Sequence, residues 1–341
     1  MDLSILLILI QDGMVNGAIY ALLALSLVLV FAVTRVILIP QGEFVSFAAL
    51  TYAALDQGQA PGSLYLLGGL GIAAFLGASL RARGRALAWL AVETLLLPAV
   101  IALVTLWLAP HKHGVAVSAL LSLAIVTPMG PYLYRLAFQP MAEASVLVLL
   151  IASVGVHLAL SGIGLLIFGP EGTRGPPFSD AVMSFGDVIV TGQSLWILGL
   201  AALSMAGLYL FFGHTLLGAA LRATAVNRLG ARLVGIPIAR SGLIAFALAG
   251  LIGAASGVLI APLTTVYYDS GFLIGLKGFV AAIVGALASY PLAVAAALGV
   301  GIVESFASFW ASSFKEVIVF TVIIPVLLWR SLRHSAVEDE E

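Results

Sequence analysis

The sequence contains no cysteine, and only 9% of its 341 residues are charged. Without cysteine there can be no disulfides, thiolate metal sites or cysteine nucleophiles. An average soluble domain is about 25% charged, so the low charge excludes a soluble fold. Apolar residues predominate instead: 62% of the chain is hydrophobic and the mean hydropathy is +1.16. A lipid bilayer accepts such a chain because its interior is itself apolar.

Catalytic motifs are absent as well. The sequence has no G-x-x-x-x-G-K-[ST] phosphate loop, no H-E-x-x-H zinc motif and no G-x-S-x-G nucleophile turn. His111 and His113 flank Lys112 between two apolar runs, where surface histidines are the expected interpretation. The net charge of −1 does not favour nucleic acid. We therefore expect no catalytic residue, no metal site and no bound cofactor in this chain.

Long apolar runs occupy most of the sequence. A transmembrane helix needs about 20 such residues, and these runs lack the alternation of barrel strands. They predict an all-α, polytopic transmembrane helical bundle of about eleven helices, with nine to eleven as the range. One domain covers residues 1–335, and an acidic tail follows at 336–341. The predicted segments are 4–32, 43–56, 64–80, 86–109, 115–133, 146–168, 194–212, 241–262, 273–288, 291–309 and 316–330.

Basic residues are distributed unevenly between the predicted loops. Eleven of the fifteen Lys and Arg residues fall on one side of the membrane under the eleven-helix threading. Cytoplasmic loops carry such an excess. The N-terminus is therefore predicted to lie outside and the C-terminus in the cytoplasm. The basic side comprises Arg35, Arg81, Arg83, Arg85, Arg135, Arg222, Arg228, Arg232, Arg240, Arg330 and Arg333.

The segment 213–240 is too polar to span a membrane but has a helical pattern. Alanines and leucines alternate with arginines at helical spacing, and Gly235-Ile236-Pro237 is a typical helix stop. We predict a short amphipathic helix at the cytoplasmic face. Two interpretations stay open: a helix on the membrane surface among anionic headgroups, or a helix that docks into a cytoplasmic ATPase.

Four of the ionisable residues inside predicted spans stand out, because each costs about 2.5–3.5 kcal/mol on insertion scales. Glu43 follows the helix-breaking sequence Pro40-Gln41-Gly42, which predicts a discontinuous helix whose first amides face an anion such as a substrate carboxylate. Lys277 lies between Gly275 and Gly278, at a second predicted helix break in the second half of the chain. A charge beside glycine in each half, of opposite sign, indicates two related halves. The four residues are Glu43, Glu93, Lys277 and Glu304.

Two interpretations of these charges stay open. In the first, Glu43 and Lys277 lie at a water-accessible end or pair with neighbours, and serve folding only. In the second, they line a central path together with Gln41 and compensate a zwitterionic solute or order its water. Glu304 has the same two interpretations, and Glu93 is expected at the membrane interface or against a helix partner.

Four stretches together resemble the permeases of branched-chain amino-acid (LIV-type) ABC transporters, in the order that this family has them. They are NGAIYAL at 16–22, YRLAFQP at 134–140, LGAALRATAVNRLGARLVGIP at 217–237, and GFLIGLKGF followed by AAIVG at 271–285. The resemblance covers nearly the whole chain, and it implies the membrane-spanning subunit of an ATP-driven importer.

The resemblance also implies partners and roles. A related or identical second permease chain, two cytoplasmic ATPase subunits carrying ATP and Mg²⁺, and a periplasmic solute-binding protein would assemble with this chain in the bacterial inner membrane. The external segment 169–192 is either a connector or a contact for that binding protein. Gln41, Glu43 and Lys277 would line the translocation path. The segment 213–240 would couple to the ATPase through Leu221, Arg222, Ala225, Arg228 and Gly235.

The chain departs from the family pattern in three places. LIPQGE at 38–43 lacks the usual Asn and His, and GALASY at 285–290 replaces a glycine-rich run. The third difference is length: either the helices at about 64–80 and 86–109 share the space of one, or the pair at 86–133 is an insertion, which gives roughly one extra hairpin. The first two differences leave the solute open, so urea, short amides and other small organic acids stay as alternatives. An ion-coupled transporter without an ATPase and a membrane scaffold protein are the other classes.

Overall fold

The computed structural model describes residues 3–79, 84–185, 188–322, 324, 325 and 328, and its regular structure is mostly helical. The helices are α1 (Leu3–Thr34), α2 (Gln41–Asp56), α3 (Ser63–Ser79), α4 (Arg85–Ala91), α5 (Leu97–Leu108), α6 (Val115–Val126), α7 (Met129–Leu133), α8 (Val146–Phe168), α9 (Gly192–His214), α10 (Leu216–Val226), α11 (Arg228–Leu233), α12 (Ile238–Ile260), α13 (Ser270–Val284), α14 (Tyr290–Trp310) and α15 (Lys315–Thr321). Single π-helical turns occur at Val92–Leu96 and Tyr134–Phe138, and 3₁₀ turns at Ala109–His111, Gln139–Met141 and Ser312–Phe314.

The prediction of an all-α membrane bundle is confirmed. In the described part of the chain, seven helices are long and apolar enough to cross a bilayer. The four other predicted segments coincide with the shorter helices α2, α3, α13 and α15. The predictions for Arg81, Arg83, Arg330, Arg333 and the tail 336–341 fall outside the described residues.

The segment 213–240 differs from its prediction of a single helix. Asn227 divides it into α10 and α11, because its side chain accepts a hydrogen bond from the Gly230 amide and caps α11. Gly235 ends α11 with a positive φ of 86°, and the Ile236 amide bonds back to the Ala231 carbonyl. This is a glycine-terminated helix stop, as the sequence predicts.

A pair of short antiparallel strands that the sequence did not predict follows α8. Strands β1 (Val182–Phe185) and β2 (Val188–Thr191) pair in the register Val182–Thr191. The residues before β1 run along the break between α12 and α13, where Thr173 and Val266 exchange backbone hydrogen bonds. The Arg174 Nε atom donates to the Pro262 carbonyl at 2.8 Å. The loop therefore supplies partners to backbone that no helix satisfies.

Helices α2 and α13 both begin near the middle of the bundle. With 16 and 15 residues they are about 24 and 22 Å long, short of a hydrocarbon core of about 30 Å. Gln41 starts α2, and its Nε2 atom donates to the carbonyl of Ala249, midway along α12. The discontinuous helix predicted at Gly42 is thus present, and α13 is a second one. The second break lies before Ser270 and not beside Lys277, where it was predicted, because α13 continues through Gly275 and Gly278.

Glycine allows the two short helices to touch. A Cβ atom on Gly42 would overlap the Gly271 carbonyl, and a Cβ atom on Gly271 would overlap the Gly42 carbonyl. The Gly271 amide, at the start of α13, donates to the Ser46 hydroxyl at 2.6 Å. The contact is reciprocal, so the first turns of both helices lie directly against each other.

Glycines also bring the long helices close to their neighbours around this contact. Gly13, Gly17 and Gly301 bring the backbones of α1 and α14 together. Gly130 and Gly250 do the same for α12 and the α6–α7 run. Each long helix, α1 or α12, is followed by a break and then a short central helix. This arrangement supports the prediction of two related halves.

The two ends of the bundle differ in charge. The end that holds α10 and α11, called the basic end below, carries six of the described arginines: Arg35, Arg135, Arg222, Arg228, Arg232 and Arg240. The opposite end holds β1 and β2 and is called the hairpin end. Gln11 near the start of α1 donates to the Ile189 carbonyl there.

We predict that Gly271→Ala destabilises the protein by about 1–3 kcal/mol, because the added methyl group would push α2 and α13 apart. Gly299→Ala is the matched control, since no heavy atom lies within 4 Å of a Cβ placed there on α14. Thermal unfolding in detergent compares the two variants with the unmodified chain. Equal melting temperatures for both variants would contradict the central contact.

Candidate functional site

The first turn of α2 places Glu43 in a buried cluster. Glu43 Oε1 lies 2.5 Å from Nδ1 of His157, on α8. The ring of Phe272, on α13, stacks on the His157 ring at 4.3 Å between centroids. Glu43 is 1% exposed and Gln41 equally so. Gln41 Oε1 and Glu43 Oε2 are buried without a hydrogen-bond partner among the described residues, and the role of both residues in a central path stays a prediction.

A second buried charge cluster surrounds Lys277 on α13. Its Nζ atom lies 2.5 Å from Glu304 Oε1 on α14 and 3.2 Å from Glu316 Oε1 on α15. Tyr20, on α1, donates to the other Glu304 oxygen at 2.5 Å. Four helices are therefore joined at one point by charge-assisted hydrogen bonds, which are stronger than neutral ones.

This second cluster forms the wall of a cavity that opens at the hairpin end. The cavity has a volume of about 550 Å³, within the range of roughly 300–1,000 Å³ usual for small-ligand sites. Its polar lining comes from several elements: Asp12, Asn16, Tyr20, Ser270, Lys277, Glu304, Lys315 and Glu316. Ile260, Leu263, Leu273 and Ile274 supply an apolar side. Opposite charges and an apolar wall suit a small zwitterion with an apolar side chain.

The structure thus separates the predicted path residues. Lys277 faces a cavity, whereas Gln41 and Glu43 lie inside the packed centre. Glu304 forms an ion pair with Lys277. Glu93 forms one with Arg135, with 2.9 Å between Glu93 Oε2 and Arg135 Nη2. Sequence reasoning missed His157 and Glu316. A lone histidine in the middle of an apolar span was the available signal for His157, but nothing local links it to Glu43, 114 residues away.

The predicted coupling residues form two sets. Leu221 and Arg228 contact the bundle and are the inner set, and Arg222, Ala225 and Gly235 are the outer set. Leu221 is 1% exposed and packs with Leu29, Val33 and Ala245, so it anchors α10 to the bundle. Arg228 Nη2 donates to the Val33 carbonyl at 2.8 Å, which caps the C-terminus of α1. Partial burial lowers the pKa of the Arg228 guanidinium from its ordinary value.

The outer set leaves an apolar surface facing away from the bundle. Arg222 is exposed, Ala225 is half-buried, and Gly235 forms the exposed helix stop. Around them lie large apolar side chains that no described residue covers: Val226, Leu229, Leu233 and Val234. We call Arg222 and these four residues the α10–α11 surface.

A further cavity of about 570 Å³ lies at the basic end, between α11 and the ends of α1 and α8. Arg35, Arg228 and Arg232 line it, with Glu143 opposite them. It shares no lining residue with the cavity at Lys277. Across the described residues, no group of three or more His, Cys, Asp or Glu side chains could hold a metal ion.

Comparison of the sequence with known proteins shows a family match. Residues 9–327 match the family model described as "Branched-chain amino acid transport system / permease component". The chain is 30% identical over 220 residues to the high-affinity branched-chain amino acid transport system permease protein BraD of Pseudomonas aeruginosa, which covers 61% of this chain and 70% of that protein. It is 29% identical over 216 residues to LivH of Escherichia coli K12, with the same coverage of 61% and 70%.

A probable branched-chain amino acid transport permease, LivH of Methanocaldococcus jannaschii, is 28% identical over 207 residues, which are 57% of this chain and 66% of that protein. No solved structure matches the chain. The match extends from within α1 to beyond α15 and so includes both central helices and the α10–α11 segment. This chain therefore belongs to the family of permease components of branched-chain amino acid transport systems.

Proposed function

We propose that this chain is the membrane-spanning permease subunit of an ATP-driven ABC importer for branched-chain or related amino acids. The observation that carries the proposal is the match over residues 9–327 to the permease family. The relatives from P. aeruginosa and E. coli are named for high-affinity branched-chain amino acid transport. The chain itself performs no covalent chemistry, and ATP and Mg²⁺ belong to separate ATPase subunits.

The proposed orientation follows from the charges at the two ends. Cytoplasmic ends of membrane proteins carry the excess of arginine, so the basic end would face the cytoplasm of the bacterial inner membrane. The hairpin end would then face outward, and a periplasmic solute-binding protein would dock on the loop that contains β1 and β2. A second permease chain, related or identical, would complete the translocation unit.

The α10–α11 surface is the proposed docking site for the ATPase. Its exposed apolar side chains would be shielded from water by a partner, and Arg222 would meet acidic residues at the rim. Leu221 and Arg228 would transmit movement of the docked ATPase to the bundle, because they tie α10 and α11 to α1 and α12. A helix lying on the lipid surface is the competing interpretation of the same pattern.

The docking proposal predicts that an ATPase subunit co-purifies with the unmodified chain and is lost from the variant Arg222→Glu/Leu229→Glu. Both side chains are exposed, so the exchange leaves the bundle intact. Lys112→Glu, which adds a negative charge at the hairpin end, is the control and should retain the ATPase. The readout is mass spectrometry of the purified complex. Retention by the double variant would contradict docking at this surface.

The Lys277 cavity is the proposed outer part of the translocation path. A branched-chain amino acid presents an ammonium, a carboxylate and an apolar side chain, and the cavity offers Glu316, Lys277 and an apolar wall to receive them. Glu316 keeps one buried oxygen, Oε2, without a partner. Movement of solute past the Gly42–Gly271 contact would then follow from rocking of the helices.

A pair of variants separates a transport role of the Lys277–Glu304 pair from a role in folding alone. Lys277→Gln leaves the buried Glu304 carboxylate with the Tyr20 hydrogen bond but without its cation, and should destabilise the protein by about 3–5 kcal/mol. Lys277→Gln/Glu304→Gln removes both charges and should recover most of that loss. We expect leucine uptake by the double variant in proteoliposomes to stay below about a tenth of normal.

Because the double variant should recover its stability, a loss of uptake in it cannot be attributed to a loss of folding. If the double variant is both stable and fully active, the pair serves folding only and the path lies elsewhere. Glu143→Gln removes an exposed acid at the basic end and is the control for general effects of losing a carboxylate. Uptake that depends on an ion gradient and not on ATP would overturn the importer proposal itself.

A further inference from the structure

A groove beside α4 at the basic end combines two arginines with an apolar wall. Its volume is about 610 Å³, and a smaller cavity of about 240 Å³ continues it past Arg135 and Gln139. Arg135 and Arg240 supply its positive charge, and Glu93 is the one acid in its lining. Trp89, Leu90, Leu243 and Ile244 form the apolar wall.

The arginines have unused hydrogen-bond donors. Arg135 Nη2 donates to Glu93, but Nη1 of the same guanidinium is buried without a hydrogen-bond partner. A buried donor without a partner is unfavourable, so a ligand with acceptor oxygens would be stabilised there. The Arg240 guanidinium makes no hydrogen bond or ion pair with the described residues.

Two distorted helical turns hold Arg135 in place. Glu93 lies in the π-helical turn Val92–Leu96, and Arg135 lies in the π-helical turn Tyr134–Phe138. The Tyr132 hydroxyl donates to the Glu93 carbonyl at 2.5 Å and connects the two turns. Single π turns often occur at binding sites, because they turn side chains out of the regular helical register.

The position of the groove indicates what fills it. Arg240 is the third residue of the span Ile238–Ile260, and Trp89 is the fourth of the span Ala86–His111. Both lie about one turn inside the helix end, which is the depth of lipid headgroups and of interfacial tryptophans. The span Ala86–His111 has few buried residues, so the groove lies on an exposed face of the described bundle.

We propose that this groove binds an anionic phospholipid. The phosphate would bridge Arg135 Nη1 and the Arg240 guanidinium, and the acyl chains would follow the wall formed by Trp89, Leu90 and Leu243. Basic grooves between transmembrane helices bind anionic headgroups in this way. The site is independent of the proposed transport function, since none of its residues belongs to the Lys277 cavity or the α10–α11 surface.

Native mass spectrometry of the delipidated protein, with any subunits that co-purify, tests the site. The probes are phosphatidylglycerol, zwitterionic phosphatidylcholine and soluble glycerol 3-phosphate. We expect phosphatidylglycerol to bind, and Arg240→Gln to weaken it about tenfold or more. The affinity of Arg240→Lys for phosphatidylglycerol should lie between those of the unmodified protein and Arg240→Gln, because lysine keeps the charge but lacks the planar guanidinium. Arg232→Gln removes one charge from the same end outside the groove and should change nothing.

Three results would overturn the proposal. Equal binding of phosphatidylglycerol and phosphatidylcholine would show that the net negative charge of the lipid is not recognised. Unchanged affinity in Arg240→Gln would show that any bound lipid lies elsewhere. Displacement of the lipid by glycerol 3-phosphate at similar concentration would show a site for soluble phosphates, with no contribution from the apolar wall.

Discussion

The contact between Gly42 and Gly271 is the constraint on which the rest of the bundle depends. Two helices that begin inside a membrane leave amides and carbonyls without helical partners, and lipid supplies none. Here the Ser46 hydroxyl accepts from the Gly271 amide, and Ser153 Oγ accepts from the Ile39 amide just before α2. Only glycine at both contact positions brings the two first turns close enough for this mutual support. The breaks can therefore lie at the centre of the bundle, where loops would otherwise be excluded.

The same contact divides the molecule into two water-accessible regions. On one side lies the Lys277 cavity at the hairpin end, and on the other lies the arginine-lined cavity below α11. Glu43 and His157 lie in the packed centre, where Glu43 Oε1 and His157 Nδ1 share a hydrogen bond and Glu43 Oε2 has no partner among the described residues. Under the proposed function, the centre would be closed in one state and open in another. The proposed coupling would act through Arg228, which holds the α10–α11 segment to the carbonyl end of α1.

The sequence predicted the helices well because long apolar runs are a strong local signal, and Pro40 with Gly42 indicated the central break. It predicted Glu43 and Lys277 as unusual charges, but it did not predict their partners. His157 and Glu43 are 114 residues apart, and Lys277 and Glu316 are 39 apart, so only the fold brings them together. The sequence predicted one helix through Asn227, because the capping role of this residue depends on backbone geometry that the sequence alone does not show. The strands β1 and β2 were missed because two four-residue strands carry little periodicity.

The most direct test of a bundle closed at its centre uses the natural absence of cysteine. Single variants Asn16→Cys, in the Lys277 cavity, and Ala142→Cys, in the cavity below α11, would be exposed to a membrane-impermeant thiol reagent in intact cells and in inverted vesicles. We predict that Asn16→Cys reacts only from the outside and Ala142→Cys only from the cytoplasmic side. Reaction of both positions from the same side would contradict the closed centre and the orientation assigned to the two ends.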